Sequence, residues 1–589
     1  MCVWNAPAGL VHPQLSGQLG RLVRSEPGTL RFEWPCRHGP RVGVATAALA
    51  VHTRSSLWTR GIYDCANAAR SRATRSPARE AMIAAELRAE TRERLAARGV
   101  VDVLVIGAGV LGAASAWAAA RRGASVVVVD RGDVAGATSS ASSKLLHGGL
   151  RYLAMGNVGL VREAHAERRA NARVVAPHLV RPLAFVVPVR AGSPVPAWKV
   201  RIGVYIYAAL SGFRDGRSGH IAVDDARARV PALRADGLRG AVVYHDHQTN
   251  DARLTLAALR GAGMHGALVL THTEVDGLRF WGGAVAGAEV TDRLSDEKFE
   301  IPARAVVNAT GPWVDRVRRL ESPSAGSSVR LSKGAHLVLR GAEGWSAAVT
   351  TPLSARRVSF AIPWEGMLLL GTTDEQFNGD PAAVSATDAD QTQILAEADM
   401  ALDATAVDPR RVVSRFAGVR VLPLASGPTS RTRRDAVISR GPAGMVSVAG
   451  GKLTTWRAIG SRAALLALSG RAGHRRPARA SLPGAASPAL VEEAIQARYP
   501  ALPSHARAAL ARHHGLLALD VLALSTDDPT LLEFVHPDAP ELWAEVVYAR
   551  DREWAATARD VLHNRTTLAL RGLDTPELAA RIARRLEAP

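Results

Sequence analysis

Hydrophobic positions fall along this chain in two patterns, and their order predicts the architecture. Short unbroken apolar runs, VLVI at 103–106, VVVV at 126–129 and ALVL from Ala267, have the length and β-branched content of strands buried on both faces. The Ala-rich stretch 113–120 between the first two predicts a helix, which Gly123 ends. Helical spacing recurs at 76–98, 158–174 and 251–259, and it runs throughout 489–589. On the helix at 158–174, His165, Arg168 and Arg169 are assigned to a solvated face. IPARAVVNATG at 301–311 reads as a strand closed by a glycine turn. The segments LSKGAHLVL, VSFAIPW, MLLLGTTD, FAGVRVLPL and MVSVAGG read as further strands. The segment 196–214, PAWKVRIGVYIYAALSGFR, mixes Trp, Tyr and Ile with flanking bases, which fits an interfacial amphipathic element and a buried core helix equally well.

Composition marks the boundaries. Residues 1–99 carry fifteen arginines and seven acids among scattered Gly and Pro, and are expected to be a largely disordered N-terminal extension ending in a helix. Residues 468–488 have the Gly, Pro and Ser content of a linker, separating a main body at 100–467 from a C-terminal helical domain at 489–589.

A net charge of +20 points to anionic partners. Only five residues are lysine and the arginines are scattered without an aromatic-basic ladder, so a solvated basic surface facing an anionic membrane fits better than a nucleic-acid groove. Cys2, Cys36 and Cys65 are the only cysteines, so the main body has no disulfide, thiolate nucleophile or cysteine metal site, as suits a reducing compartment. No apolar run approaches the roughly 18–20 residues that span a bilayer, and no signal peptide opens the chain. The expectation is a cytoplasmic protein with peripheral contact to the inner face of the cytoplasmic membrane. Oligomeric state, a homodimer included, is left open.

The candidate chemistry begins at Gly107-Ala108-Gly109-Val110-Leu111-Gly112, between the first strand and its helix. Gly107 and Gly109 permit a tight turn close to a pyrophosphate, and Gly112 lets the helix pack on the sheet. The helix N-terminus turns its N–H groups and positive dipole end toward the phosphates. Asp130 ends the second strand, where it can accept hydrogen bonds from a ribose. The bland alternative, a glycine turn in an ordinary βαβ unit, accounts less well for glycines, helix, strand and acid in this order. Behind Asp130 lies a loop of hydroxyls, Thr138, Ser139, Ser140, Ser142 and Ser143, suited to a pyrophosphate or ribityl chain. Asn308-Ala309-Thr310-Gly311 closes a second strand, and Gly450-Gly451-Lys452-Leu453-Thr454-Thr455 places N–H groups where they could stabilise a reduced flavin. These pieces lie over three hundred residues apart, as in a flavin site closed by the returning chain; a nicotinamide domain is usually finished in one stretch.

ATSSASSKLLHGGLRY at 137–152, together with VNATGPW at 307–313, resembles the FAD-dependent glycerol-3-phosphate dehydrogenases of the D-amino-acid-oxidase-like flavoprotein superfamily. KGAHLVL at 333–339, IPW and GTTD within 362–374, GVR at 418–420, GGKLTT at 450–455 and LPGA at 482–485 extend the resemblance over residues 100–589. It implies an α/β fold: a Rossmann-like FAD-binding domain intertwined with an antiparallel-sheet substrate domain, and a C-terminal all-helical cap. It also implies oxidation of sn-glycerol 3-phosphate to dihydroxyacetone phosphate, with electrons passed to a membrane quinone. By similarity, Arg420 and Arg434 hold the phosphate, and Arg151 and Lys452 lie near the substrate oxygens and flavin. His336 is the leading candidate for taking the C2 hydroxyl proton, His147 is the second, and Tyr152 lines the same pocket. Gly107, Gly109, Gly112, Asp130, Thr138, Ser139, Ser140, Ser142, Ser143, Lys144, Gly148, Gly149, Gly311, Gly451, Leu453 and Thr454 are the implied FAD contacts. Asp130 stands where many members have glutamate, and GVRVLPL carries one residue more than the usual GVRPL, which is expected to displace the loop after Arg420. A glycerol-3-phosphate oxidase, using oxygen and releasing peroxide, is the nearest alternative. A basic nucleic-acid-binding protein on a degenerate flavin fold is a distant one.

Overall fold

Four consecutive valines, Val126–Val129, put no polar side chain on either face of their strand, so it is stable only between two neighbours with both faces covered. It pairs in parallel with Val103–Ile106 on one side and Leu268–Leu270 on the other. The sheet continues through Val306–Asn308 and Val446–Gly450, both parallel, and ends on the antiparallel strand Ala436–Arg440. In this computed structural model the described residues are 22–24, 30–32, 84–153, 157–354, 357–424, 436–469 and 480–588, without the side chains of 22–24, 30–32, Ala84, Ala85, Arg151 and Tyr152. The chain divides into two units, Met1–Arg79 and Glu80–Pro589. In the first, Leu22–Arg24 pairs antiparallel with Leu30–Phe32. The expected disorder of the N-terminal extension otherwise lies outside the described residues; its closing helix, Ala84–Arg98, belongs to the second unit.

One face of the parallel sheet carries the helices Val110–Ala120 and Trp456–Leu468. Small residues let them approach closely: a Cβ at Gly460 would lie 2.2 Å from Ala114 Cβ. Trp117 and Trp456 stack beside this crossing at 5.9 Å, and Trp456 Nε1 donates to Asn171 Oδ1 at 3.0 Å. The other face is covered by a three-stranded antiparallel meander, Thr273–Trp281, Ala284–Asp292 and Lys298–Pro302.

A second, largely antiparallel sheet of ten strands forms the substrate half. Toward one edge of it, Val329–Arg340 pairs with Met367–Gly371, Glu375–Phe377 and Val412–Pro423. The last of these continues through Val421, Leu422 and Pro423 opposite Leu331, Arg330 and Val329, so the extra residue after Arg420 is absorbed by prolonging the strand. Residues 425–435, with Arg434, lie outside the described residues.

The C-terminal helices, among them Pro488–Arg498, Ser504–His514, Trp543–Glu553 and Pro576–Glu587, enclose two apolar clusters of their own. Buried ion pairs join this domain to the main body. Arg253 donates to both oxygens of Glu553, at 2.8 and 2.9 Å, and to the His513 carbonyl. Arg565 grips both oxygens of Asp133 at 2.7 Å. Glu365, in the substrate sheet, meets Arg512 at 3.1 Å and Arg181 at 3.0 Å.

The solvated face expected for His165 and Arg168 is not found: both are fully buried. On the helix Val158–Ala170, Arg168 points inward because two acids from other elements, Asp246 and Asp215, meet its guanidinium there. A charge pattern along one helix cannot disclose counter-charges contributed by distant strands.

Two expected outcomes follow from these interdomain pairs. Arg565→Met strands the buried Asp133 carboxylate and should cost about 3–5 kcal/mol, seen as an earlier denaturant midpoint; an unchanged midpoint would refute the assignment. Burial alone would push the Glu365 carboxyl up, but Arg181, His513 and Arg512 hold it at about 2. Its folded value is depressed, so its contribution is complete above the ordinary carboxylate pKa of about 4.3 and is lost as pH falls toward 2. Glu365→Gln should therefore flatten the fall of thermal midpoint between pH 5 and 3.

Candidate active site

The first glycine turn is tight because two loops meet there backbone to backbone. Gly107 adopts φ +106°, and a Cβ on it would lie 2.6 Å from the Ala309 carbonyl oxygen, in the turn after the neighbouring parallel strand. A Cβ at Gly112 would lie 1.8 Å from the Gly107 carbonyl, so the helix begins in contact with the preceding turn. Both positions must be glycine whatever is bound. Asp130 accepts from Ala108 N at 2.7 Å and from Gly132 N at 2.9 Å, bracing the turn in addition to standing where a ribose is expected. Burial pushes its carboxyl upward against these two N–H groups. The Arg131 guanidinium lies 4.0 Å over the Trp313 ring and links this loop to the NATGPW turn.

The hydroxyl loop is held largely by its own side chains. Ser139 Oγ accepts from Val110 N at 2.9 Å at the helix start, Thr138 donates to the Val419 carbonyl at 2.7 Å, and Ser140 donates to the Ala137 carbonyl. Ser142 Oγ donates to Asp251 Oδ2 at 2.6 Å, and Lys144 Nζ meets Asp251 Oδ1 at 2.6 Å. Ser142 and Lys144, expected as cofactor contacts, thus engage a fully buried carboxylate, since a lysine only 2% exposed requires a counter-charge. Ser143, between them, turns its hydroxyl to the substrate sheet, where its Oγ lies 2.8 Å from His336 Nε2.

The HGG and GGKLTT motifs are tied by Thr454, whose Oγ1 accepts from His147 N at 3.0 Å and donates to the His147 carbonyl at 2.9 Å. The next N–H, of Gly148, donates to Asp246 Oδ1 at 3.1 Å. Asp246 also accepts from Tyr207 Oη at 2.7 Å and pairs with Arg168. Gly148 leaves room for this cluster, because a Cβ there would meet Tyr207 Oη at 2.5 Å. Gly149 and Gly451 have φ of +82° and +80°, and Gly311 of +53°. Lys452, 7% exposed, precedes the short turn Leu453–Thr455. Arg151 and Tyr152 lie in the helix Leu150–Leu153, their side chains outside the described set.

His336, on Val329–Arg340, faces Phe416 across the sheet and stacks on its ring at 5.0 Å. It is 3% exposed, and its Nδ1 has no hydrogen-bond partner among the described residues. Burial and the charges of Arg420 and Lys144 lower its pKa to about 3, so the imidazole is neutral near pH 7. Arg420 lies opposite Ser332 and donates to the Lys333 carbonyl at 3.0 Å, the Thr373 carbonyl at 2.9 Å and Thr372 Oγ1 at 2.7 Å, with Asp374 at 3.5 Å. Gly334 provides the groove for it: a Cβ there would lie 2.0 Å from an Arg420 nitrogen. Asp246, Asp251, Thr372, Gly334 and Phe416 escaped the sequence reading. Only the two acids left a signal, as polar residues in a strand-to-helix stretch that proves buried.

This arrangement, a Rossmann-type glycine turn joined to an antiparallel substrate sheet, defines a flavin-dependent oxidoreductase. Residues 102–466 match the FAD dependent oxidoreductase family, and residues 476–588 match the C-terminal domain of alpha-glycerophosphate oxidase. The chain belongs to this family, and within it to the glycerol-3-phosphate dehydrogenases. It is 35% identical to glycerol-3-phosphate dehydrogenase 2 of Mycobacterium bovis over 501 residues, 82% of this chain and 84% of that protein. It is 33% identical to the Synechocystis glycerol-3-phosphate dehydrogenase over 495 residues, 80% of this chain and 89% of that protein. The solved glycerol-3-phosphate dehydrogenase from Bacillus halodurans complexed with FAD superimposes with a TM-score of 0.67 at 26% identity, covering 84% of this chain and 96% of that one. FAD is the cofactor. The residues present fit it: the glycine turn opens the helix Val110–Ala120, which carries no charged side chain, so its positive N-terminal end is left for an anionic pyrophosphate.

Gly107→Ala should weaken FAD retention at least about tenfold, from backbone strain of about 1–3 kcal/mol. Flavin absorbance per protein after gel filtration measures this, and a full flavin complement would contradict the turn's role.

Proposed function

We propose that this chain oxidises sn-glycerol 3-phosphate at C2 to dihydroxyacetone phosphate and delivers the electrons to a membrane quinone. The observation that carries the reading is the convergence of a buried neutral imidazole, His336, and a partly exposed arginine, Arg420, on the strand pair that faces the hydroxyl loop. Bound FAD supplies the hydride acceptor. Gly107, Gly109, Gly112 and Asp130 hold its ADP half, and the hydroxyl loop apart from Ser143, with the GGKLTT turn, holds the remainder.

Arg420 and Arg434 clamp the phosphate, for which the planar guanidinium is suited, and Arg151, Lys452 and Tyr152 surround the carbon end. His336 takes the C2 hydroxyl proton, with His147 as the second candidate. A pKa near 3 keeps the imidazole unprotonated but makes it a weak base. The positive field of Arg420 contributes to that depression, and a dianionic phosphate on Arg420 offsets it. Base strength therefore rises as the substrate arrives, toward the neutral range where general-base catalysis is efficient.

The membrane side of the proposal rests on the helix Ala197–Leu210. Trp198, Ile202, Tyr205 and Ile206 are exposed on it, with Phe213 just beyond, while Val204 and Tyr207 face inward. Lys199, Arg201 and Arg214 flank this apolar face, the composition of an interfacial element on anionic lipid. Among the described residues no helix is long and apolar enough to cross a membrane. The match of residues 476–588 to an oxidase domain favours oxygen as a second reading of the acceptor.

Glycerol 3-phosphate, and not glycerol, should bleach the flavin. Arg420→Ala should raise the half-saturating concentration about 10- to 100-fold, the loss of a charge-assisted hydrogen-bonded clamp; equal responses to both compounds would overturn the phosphate assignment. Turnover with a quinone analogue beside a peroxide assay decides the acceptor, and stoichiometric peroxide would favour the oxidase. Trp198→Ser with Tyr205→Ser should reduce co-sedimentation with phosphatidylglycerol vesicles and leave flavin bleaching intact.

A further inference from the structure

We propose that Ser143 is a positioning residue for His336, fixed in place by Asp251; this rests on the reading of His336 as the base. Ser143 stands between two residues gripped by one carboxylate. Asp251 Oδ2 accepts from Ser142 N at 3.0 Å and from Ser142 Oγ at 2.6 Å, and Oδ1 pairs with Lys144 Nζ at 2.6 Å. Lys144 N donates to Ser142 Oγ at 3.0 Å and Lys144 Nζ to the Ser140 carbonyl at 2.5 Å, closing the turn around the intervening serine. Lys144 is held at φ +59°, in the left-handed region, a conformation that a lysine keeps only where its surroundings impose it. Asp251 is fully buried at the start of the helix Asp251–Met264, where the dipole favours a carboxylate. The loop on both sides of Ser143 is therefore immobilised, and its hydroxyl is aimed at His336 Nε2 from 2.8 Å.

The imidazole needs such a partner. Phe416 fixes the plane of the ring, and Gly371, where a Cβ would lie 2.7 Å from His336 Cδ2, makes room for its edge. Neither contact distinguishes the two ring nitrogens. The Ser143 hydroxyl does, because it engages Nε2, while Nδ1 has no hydrogen bond among the described residues. A serine hydroxyl both donates and accepts. For His336 to take a proton at Nδ1 the neutral ring must carry its hydrogen on Nε2, so the Ser143 oxygen accepts from Nε2–H in the neutral ring and again in the imidazolium. Ser143 thus supports the neutral and the protonated ring without any movement of the backbone. Burial and the charges of Arg420 and Lys144 disfavour the imidazolium, so a fixed acceptor at Nε2 is the local group that favours it. Ser143 is accordingly assigned to the histidine, where Ser139 serves the helix start and Thr138 the Val419 carbonyl.

The test uses FAD-loaded enzyme carrying 15N-labelled histidine, with the His336 resonances identified by their loss in His336→Gln. Ser143→Ala should shift the His336 ring-nitrogen resonances in the resting enzyme. It should also lower the limiting rate of flavin reduction by glycerol 3-phosphate about tenfold, the value of one hydrogen bond, with half-saturation and flavin content unchanged. Ser143→Thr, which keeps the hydroxyl, should restore both. Ser143→Cys replaces Ser143→Ala if the latter does not accumulate, with the same expected direction. Unchanged His336 resonances would overturn the proposal, and so would loss of flavin at an unchanged rate per bound flavin, which would return Ser143 to the cofactor. If the wild type is not reduced by glycerol 3-phosphate, the functional reading fails, and the resonances still decide whether Ser143 positions the ring.

Discussion

The first turn of the helix Asp251–Met264 carries the constraint on which the rest of the molecule depends. Asp251 holds the hydroxyl loop through Ser142 and Lys144, and two residues later Arg253 holds the C-terminal domain through Glu553 and the His513 carbonyl. Asn250 caps the same turn by accepting from Arg253 N at 3.1 Å. Buried ion pairs of this kind add little net stability over apolar packing, yet removing either partner is costly because a charge is then left in a poorly solvated place. Their effect here is to make geometry exclusive: the loop beside the site and the helical domain behind it have one arrangement in which all these charges are met.

A second buried carboxylate does comparable work five residues earlier, near the end of the strand Leu238–Thr249 that leads into this helix. Asp246 receives Gly148 N–H from the HGG loop, Tyr207 from the surface helix and Arg168 from Val158–Ala170. Three elements distant in sequence are thereby joined at one group, and the apolar outer face of the surface helix is a single side chain away from the active-site loop. Burial pushes the carboxyl of Asp246 upward, opposed first by Arg168 and then by the hydrogen bonds from Tyr207 and Gly148. Ionised, it keeps the His147–Gly148 peptide in one orientation between itself and Thr454.

The electrostatics of the catalytic side are asymmetric. His336 is surrounded by positive groups, Arg420 and Lys144, with the nearest acids committed to those cations: Asp251 to Lys144 and Asp374 near Arg420. An anionic substrate is the natural complement of such a site, since it restores local neutrality and basicity in one event.

Much of this was legible in order along the chain. The glycine turn, the all-valine strand and the long-range pairing of HGGLRY with GGKLTT depend on local backbone requirements: positive φ, close approach, a strand with no polar face. Such requirements restrict residue identity position by position and therefore appear in sequence. The sequence by itself also determined the flavin fold class and the family, through motifs each carrying its own backbone demand. Only the tertiary structure decided the partners of charges. It buried Arg168 and His165 where helical periodicity had placed them in solvent, turned Ser142 and Lys144 to Asp251, and set Gly334 beneath Arg420. The physical reason is that the cost of burying a charge or admitting a bulky guanidinium is met by groups far along the chain, on other strands and helices, and no local pattern records which of them will arrive.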